Sequence, residues 1–212
     1  MSELKGRERY LKMLKGEKID RIPICPRVHQ NVIYEYFNSK DVDIIEGAVE
    51  YCENFKIDII DWNCTPHFEM NEFLLDGPGW KPETKEEVSG DTKKIITTVE
   101  TPKGSLRRVL GVTQISKWEE ETALIEYPVK TDKDYDLITE FMPPVPKHDT
   151  KSIEKAAKLI GDKGITSPSF HGPFNVLGYC YQPLDHLLML PILNPELFHR
   201  MMQFFTDRIL QY

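Results

Sequence analysis

The sequence predicts an α/β fold, on three observations. Short branched apolar runs of parallel-strand character stand near residues 22–25, 57–60 and 164–167. Amphipathic stretches with helical spacing lie between them. A block over residues 71–128, rich in turn signals and strand-like runs, interrupts that alternation. Helices alternating with strands build a parallel sheet covered by helices, whereas strands in succession pair with their neighbours, so this block reads as antiparallel material inserted into the fold.

The 212 residues suit about one large domain, with room for a second small one. With 40% hydrophobic and 29% charged residues, the composition is that of a soluble globular protein with a sizeable core. The net charge of −7 argues against nucleic acid or an anionic membrane as the main partner and leaves a small-molecule substrate as the expectation. No apolar run approaches the ~20 residues of a membrane span, and the start, MSELKGRERY, is charged rather than signal-like, so a cytoplasmic protein is expected. Cys25, Cys52, Cys64 and Cys180 are scattered without a CxxC pair, which predicts free thiols rather than disulfides. A zinc site made wholly within the chain is possible but not signalled, and no metal ligands are predicted in it.

In order, residues 7–14 predict a short amphipathic helix ended by Gly16, and 20–24 lead into a first short strand broken by Pro26. Arg27, His29 and Gln30 follow directly; they face the mouth of a barrel if the sheet closes, or form an ordinary solvated loop. Asp41 is the predicted N-cap of a helix whose apolar face is Val42, Ile45, Ala48, Val49, Cys52 and Phe55. The strand at 57–60 runs into Asp61-Trp62-Asn63-Cys64-Thr65-Pro66-His67. Asp61 and Asn63 are then either site residues or the cap and turn of the next element; Asp61 is the acid chosen for function, with Asp58 its competitor.

Within the inserted block, strand-like stretches occur at 94–101, 105–113 and 123–129, and Thr101-Pro102-Lys103-Gly104-Ser105 forms a hairpin connection. Arg107 and Arg108 read as edge charges in preference to ligand contacts. Helices are predicted over 132–141 and 150–160, separated by the breaker Met142-Pro143-Pro144-Val145-Pro146. The third strand leads through His171-Gly172-Pro173 into an apolar segment carrying Tyr179 and Tyr181. Strand, Gly/Pro turn and helix make a βα loop, where parallel folds place their sites. His171 and the tyrosines there either handle protons and hydrogen bonds of a small molecule or fix the turn and cap a helix interface. Asn194 and Pro195 start a final helix with Leu197, Met201, Phe204, Phe205 and Ile209 on its apolar face. Little sequence follows to cover that face. Three parallel-type strands fall short of the eight a closed barrel needs.

Several of these segments together resemble the uroporphyrinogen decarboxylase superfamily, which holds the decarboxylase and the zinc-dependent, corrinoid-linked methyltransferases. They are the opening Arg7-Glu8-Arg9-Tyr10-Leu11, Gly16-Glu17-Lys18 and Asp20-Arg21-Ile22-Pro23; the hairpin Thr101-Pro102-Lys103-Gly104-Ser105-Leu106-Arg107; the stretch Glu126-Tyr127-Pro128-Val129-Lys130-Thr131-Asp132-Lys133-Asp134; and His171-Gly172-Pro173-Phe174, similar to that family's GPF-type loop. The resemblance implies a (β/α)8 TIM-barrel-type fold with an N-terminal helical extension, of which residues 1–212 are the incomplete N-terminal part, with residues 71–130 as an inserted β-hairpin region. Asp61 matches the spacing of the decarboxylase's substrate-binding acid to its downstream proline, and Tyr179 falls where the decarboxylase has its active-site tyrosine. These two are the expected catalytic residues, with Arg27, His29, Asn63 and His171 expected to contact substrate.

The decarboxylase grips a many-carboxylate porphyrinogen with arginines after its first strand, and here that stretch has one, Arg27, out of step. Without bidentate guanidinium partners that substrate is disfavoured. The resemblance therefore points to the methyltransferase branch: transfer between a corrinoid on a partner protein and a thiol or other acceptor. It implies a zinc ion whose ligands lie outside this chain. Two alternatives stay open: cofactor-free porphyrinogen decarboxylation, and a catalytically incomplete half-barrel that binds another copy or a complementary chain through its final helix.

Overall fold

A computed structural model of the chain describes residues 3–61, 64, 68–90 and 92–212. Its elements are α1 (Gly6–Leu14), α2 (Gln30–Phe37), α3 (Ile44–Asn54), β1 (Ile59–Asp61), β2 (Lys81–Ser89), β3 (Thr92–Thr101), β4 (Gly104–Gln114), β5 (Glu120–Glu126), α4 (Asp132–Phe141), α5 (Lys151–Ile160), β6 (Gly164–Thr166), α6 (Pro173–Cys180), α7 (Leu184–Leu193) and α8 (Pro195–Ile209). They form a mixed α/β structure with a parallel pair of strands and a four-stranded antiparallel sheet. The chain divides into two compact units, Met1–Pro66 with Asp149–Ser169, and His67–His148 with Phe170–Tyr212.

The first unit is built on β1 and β6, paired parallel with Ile59 opposite Gly164 and Asp61 opposite Thr166. Gly164 is required there: a Cβ at this position would lie 2.2 Å from the Ile59 carbonyl oxygen. Ile33, Ala48, Val49, Cys52, Ile59 and Ile160 form a shared apolar cluster. Asp43, not Asp41, caps α3, because its Oδ1 accepts from the Ile45 and Glu46 backbone N–H groups at 3.0 Å each. Residues 22–25 make no strand; Ile22 and Ile24 are exposed, and this segment is held instead by the Asp58 backbone N–H donating to the Ile24 carbonyl at 2.8 Å. Residues 30–37, whose mixed polar and aromatic composition hides the pattern, form α2.

Below these elements lies a buried ionic network. Arg9 donates to Asp20 through Nε and Nη2, at 2.8 Å each, and its Nη1 pairs with Asp58. Asp58 also pairs with Arg21 and accepts the Ile24 backbone N–H at 2.9 Å. The Arg9 and Asp58 side chains are only 3% and 2% exposed. Burial opposes charge on Asp58, but Arg21, the Ile24 N–H and Arg9 outweigh it and hold the carboxyl below its ordinary range.

In the second unit the sheet order is β2-β3-β4-β5, all antiparallel, with a bulge in β5, where Ile125 is the extra residue opposite Val109 and Leu110. The strands expected at 94–101, 105–113 and 123–129 are β3, β4 and β5; β2, nearly all polar and exposed, gave no signal. The core of this unit gathers Phe73, Trp80, Val99, Leu106, Tyr135, Ile138, Leu177, Tyr181, Met201 and Phe205. Asn194 caps α8 as the sequence predicts, its Oδ1 accepting from the Leu197 N–H at 3.1 Å. The expectation of an uncovered α8 is overturned: Leu197, Met201 and Phe205 are buried in this core. A run of exposed apolar side chains lies on α7, at Leu184, Leu188, Met189, Ile192 and Leu193. Arg208 closes the unit through a 2.7 Å bond from Nε to Glu72 and another from Nη2 to the Pro143 carbonyl.

Candidate functional site

The residues expected to act fall into both units. Asp61 is buried at the carboxyl end of β1, where its carbonyl accepts the Ser167 N–H at 2.9 Å. Its competitor Asp58 is a structural acid, saturated by two arginines and a backbone N–H. Arg27 and His29 are exposed in the segment that leads into α2, with His29 at the N-cap position. Asn63 lies outside the described residues.

The second unit brings His171 and Tyr179 together. The His171-Gly172 turn precedes Pro173, which occupies the first turn of α6, where its missing N–H costs nothing and its fixed φ suits a helix start. One helical turn and a half later Tyr179 projects beside the turn, its ring 5.7 Å from the His171 ring and edge-on at 88°. Tyr179 is 60% exposed, whereas Tyr181 is 1% exposed and packs against Phe73 and Phe205. Of the two tyrosines, the first can meet a ligand and the second is core.

Glu69, which sequence reasoning did not single out, completes this arrangement. It is buried in the short 3-10 turn Phe68–Met70, and its Oε1 accepts the His171 backbone N–H at 3.0 Å while lying 3.0 Å from His171 Nδ1. A buried carboxylate bound to both backbone and ring fixes the orientation of the imidazole, a side chain competent to accept a proton.

Next to Tyr179 lies a cavity of about 400 Å³. Its floor is one face of the sheet, where cross-strand pairing sets Thr84, Thr97 and Arg108 in one row and Ile95, Leu110 and Leu124 in the next. Thr84 and Thr97 hydroxyls are 3.2 Å apart. Arg108 is no edge charge: β4 is an inner strand and the residue is 5% exposed. Its guanidinium stacks 4.8 Å above the Phe73 ring, and its Nε, wholly buried, has no hydrogen-bond partner among the described residues. Burial works against its charge and lowers its pKa. Desolvating a charged group costs several kcal/mol, and a desolvated cation–π contact returns about 2 kcal/mol. The neighbouring Cys180 supplies no anion, because burial pushes its thiol up to about 12.

None of the four cysteines is in a disulfide. Among the described residues no three His, Cys, Asp and Glu side chains converge to hold a metal ion. None of their helices is long and apolar enough to cross a membrane.

No family model matches the chain, and no curated protein matches it. Among solved structures the chain is similar to a methyltransferase from Methanosarcina mazei, with a TM-score of 0.55 at 12% identity over 97% of this chain. The two share a fold. The match takes in 53% of that methyltransferase, so this chain spans about half its length.

Proposed function

We propose that the chain is part of a methyltransferase of the uroporphyrinogen decarboxylase superfamily, passing a methyl group between a corrinoid on a partner protein and a thiol or other acceptor. The observation that carries this reading is the fold shared with the Methanosarcina mazei methyltransferase along nearly the whole chain. The motif resemblance points the same way. In this reading β1 and β6 are strands of a (β/α)8 barrel and the antiparallel sheet is its inserted region.

This chain's part is to position the acceptor and manage its proton. A thiol must lose its proton to become a nucleophile. His171, oriented by Glu69, takes that proton, and the carboxylate stabilises the imidazolium that results. Tyr179, exposed beside it, donates a hydrogen bond to the acceptor. The implied zinc draws its ligands from outside the described residues, which offer no suitable donor set.

The protein expressed from its full reading frame is incubated with methylcobalamin and a panel of small thiols, and thioether is quantified by mass spectrometry. Thioether formation above the protein-free rate, lowered at least ~10-fold in Glu69→Gln and His171→Gln, is the expected result, because a positioned base contributes factors of roughly 10² or more. Release of carbon dioxide from a porphyrinogen, without methyl transfer, would replace this reading with the decarboxylase.

A further inference from the structure

We infer that the cavity over the antiparallel sheet is a binding site for a small monocarboxylate with an apolar body, anchored by Arg108. Three features of the second unit converge on this. The first is a buried guanidinium that lines the cavity without a hydrogen-bonding or ion-pairing partner among the described residues. Buried charges in folded proteins are paired, so a side chain in this state is arranged for an anion that arrives from outside.

Secondly, the acids that could have neutralised it internally are committed elsewhere. Glu72 is held by Arg208 and by the Tyr212 hydroxyl, each at 2.7 Å. Glu69 is held by His171. Cys180 and Tyr181, the groups whose charge would act on Arg108, are both kept neutral by burial.

Thirdly, the lining specifies the rest of the ligand. The planar fork of arginine matches a carboxylate with two parallel hydrogen bonds, and the Thr97 hydroxyl stands directly across the strand pair from it. One unbalanced positive charge calls for one negative charge. Beyond it the row of Ile95, Leu110 and Leu124 provides an apolar surface that a dianion or a polar chain would not use. A cavity of about 400 Å³ is within the usual range for small-molecule sites. This site rests on Arg108 and the sheet, and does not depend on the methyl-transfer reading.

The test is calorimetric titration of the purified chain with hexanoate, its uncharged isostere hexanamide, and hexyl phosphate. Saturable binding of hexanoate is expected, at least ten-fold tighter than hexanamide or hexyl phosphate. Arg108→Met should weaken hexanoate at least ten-fold while melting no lower than the parent, since it removes an unpaired buried charge; Arg108→Lys should bind weakly for want of the fork. Equal affinity for hexanoate and hexanamide, tighter binding of hexyl phosphate, or no saturable binding would overturn the assignment, and none of these needs a folded variant. Binding is read without turnover, so its failure is separate from a failure of methyl transfer.

Discussion

Replacing Arg9 by methionine keeps most of the apolar stem and removes the guanidinium that joins Asp20, Asp58 and the Leu4 carbonyl. Asp58 then stays buried with Arg21, whose side chain is 38% exposed, and the Ile24 N–H as its remaining partners. Breaking a buried ion pair on one side costs about 3–5 kcal/mol, and the surviving partners of Asp58 place this case at the lower end, about 3 kcal/mol. The first unit is the part affected, so the assay is hydrogen exchange of the β1 and β6 amides, read by mass spectrometry. At 1.4 kcal/mol per factor of ten, protection should fall roughly 10²-fold. The loss should also depend on pH. Asp20, bonded by Arg9 and the Leu4 N–H, and Asp58 both titrate below their ordinary value of 3.8 in the folded protein. Groups with depressed folded pKa values contribute stability that is complete above the unfolded pKa and vanishes as pH falls through the folded one. The gap between parent and variant should therefore be full above pH ~4 and shrink below it. A loss under ~1 kcal/mol, or a gap that does not change on acidification, would refute the idea that this network holds the unit together.

Gly164→Ala should unfold or severely destabilise the first unit, because its methyl would overlap the Ile59 carbonyl; an unchanged circular dichroism melt would contradict the close β1–β6 register. Tyr181→Phe should stabilise the second unit by about 1 kcal/mol, since it removes a buried hydroxyl without a hydrogen-bond partner, and a urea titration reads this directly. Alkylation by iodoacetamide at pH 8 should mark Cys25 first and leave Cys52 and Cys180 intact until denaturant is added, because burial pushes these two thiols up to about 11 and about 12. Peptide mapping that found Cys180 modified early would show its surroundings to be open.

The elements that were legible share a local cause. The helix expected at 132–141 is α4 without a shift, because Thr131 and Asp134 form a capping box at its start and prolines end it. The third strand and the His171 turn were legible for a similar reason, a branched apolar run followed by Gly and Pro. Where pairing or burial alone makes the element, local pattern failed. β2 exists through its ladder with β3 and shows no apolar face. The apolar run at 22–25 has strand propensity, but its isoleucines face solvent. Glu69 reaches His171 across 102 residues of sequence, from a turn with no periodicity to mark it.

Arg107 and Arg108 show why a residue's chemistry is decided by its face. They are adjacent and identical, and the sequence gives no ground for separating them. On a strand, successive side chains point to opposite sides. Arg107 takes the outer side, partly exposed, and pairs with Glu126 on β5. Arg108 takes the side that holds Leu106 and the core, where its neighbours are Phe73, Thr97 and the cavity. A register slip of one residue would exchange them, burying the arginine that has a carboxylate and exposing the one that has none. The register is fixed by Leu106 and Val99, which face each other across β4 and β3 and are both buried. The unpaired guanidinium is thus imposed on Arg108 by the same apolar pairing that builds the sheet, and an anionic ligand is what makes that placement favourable.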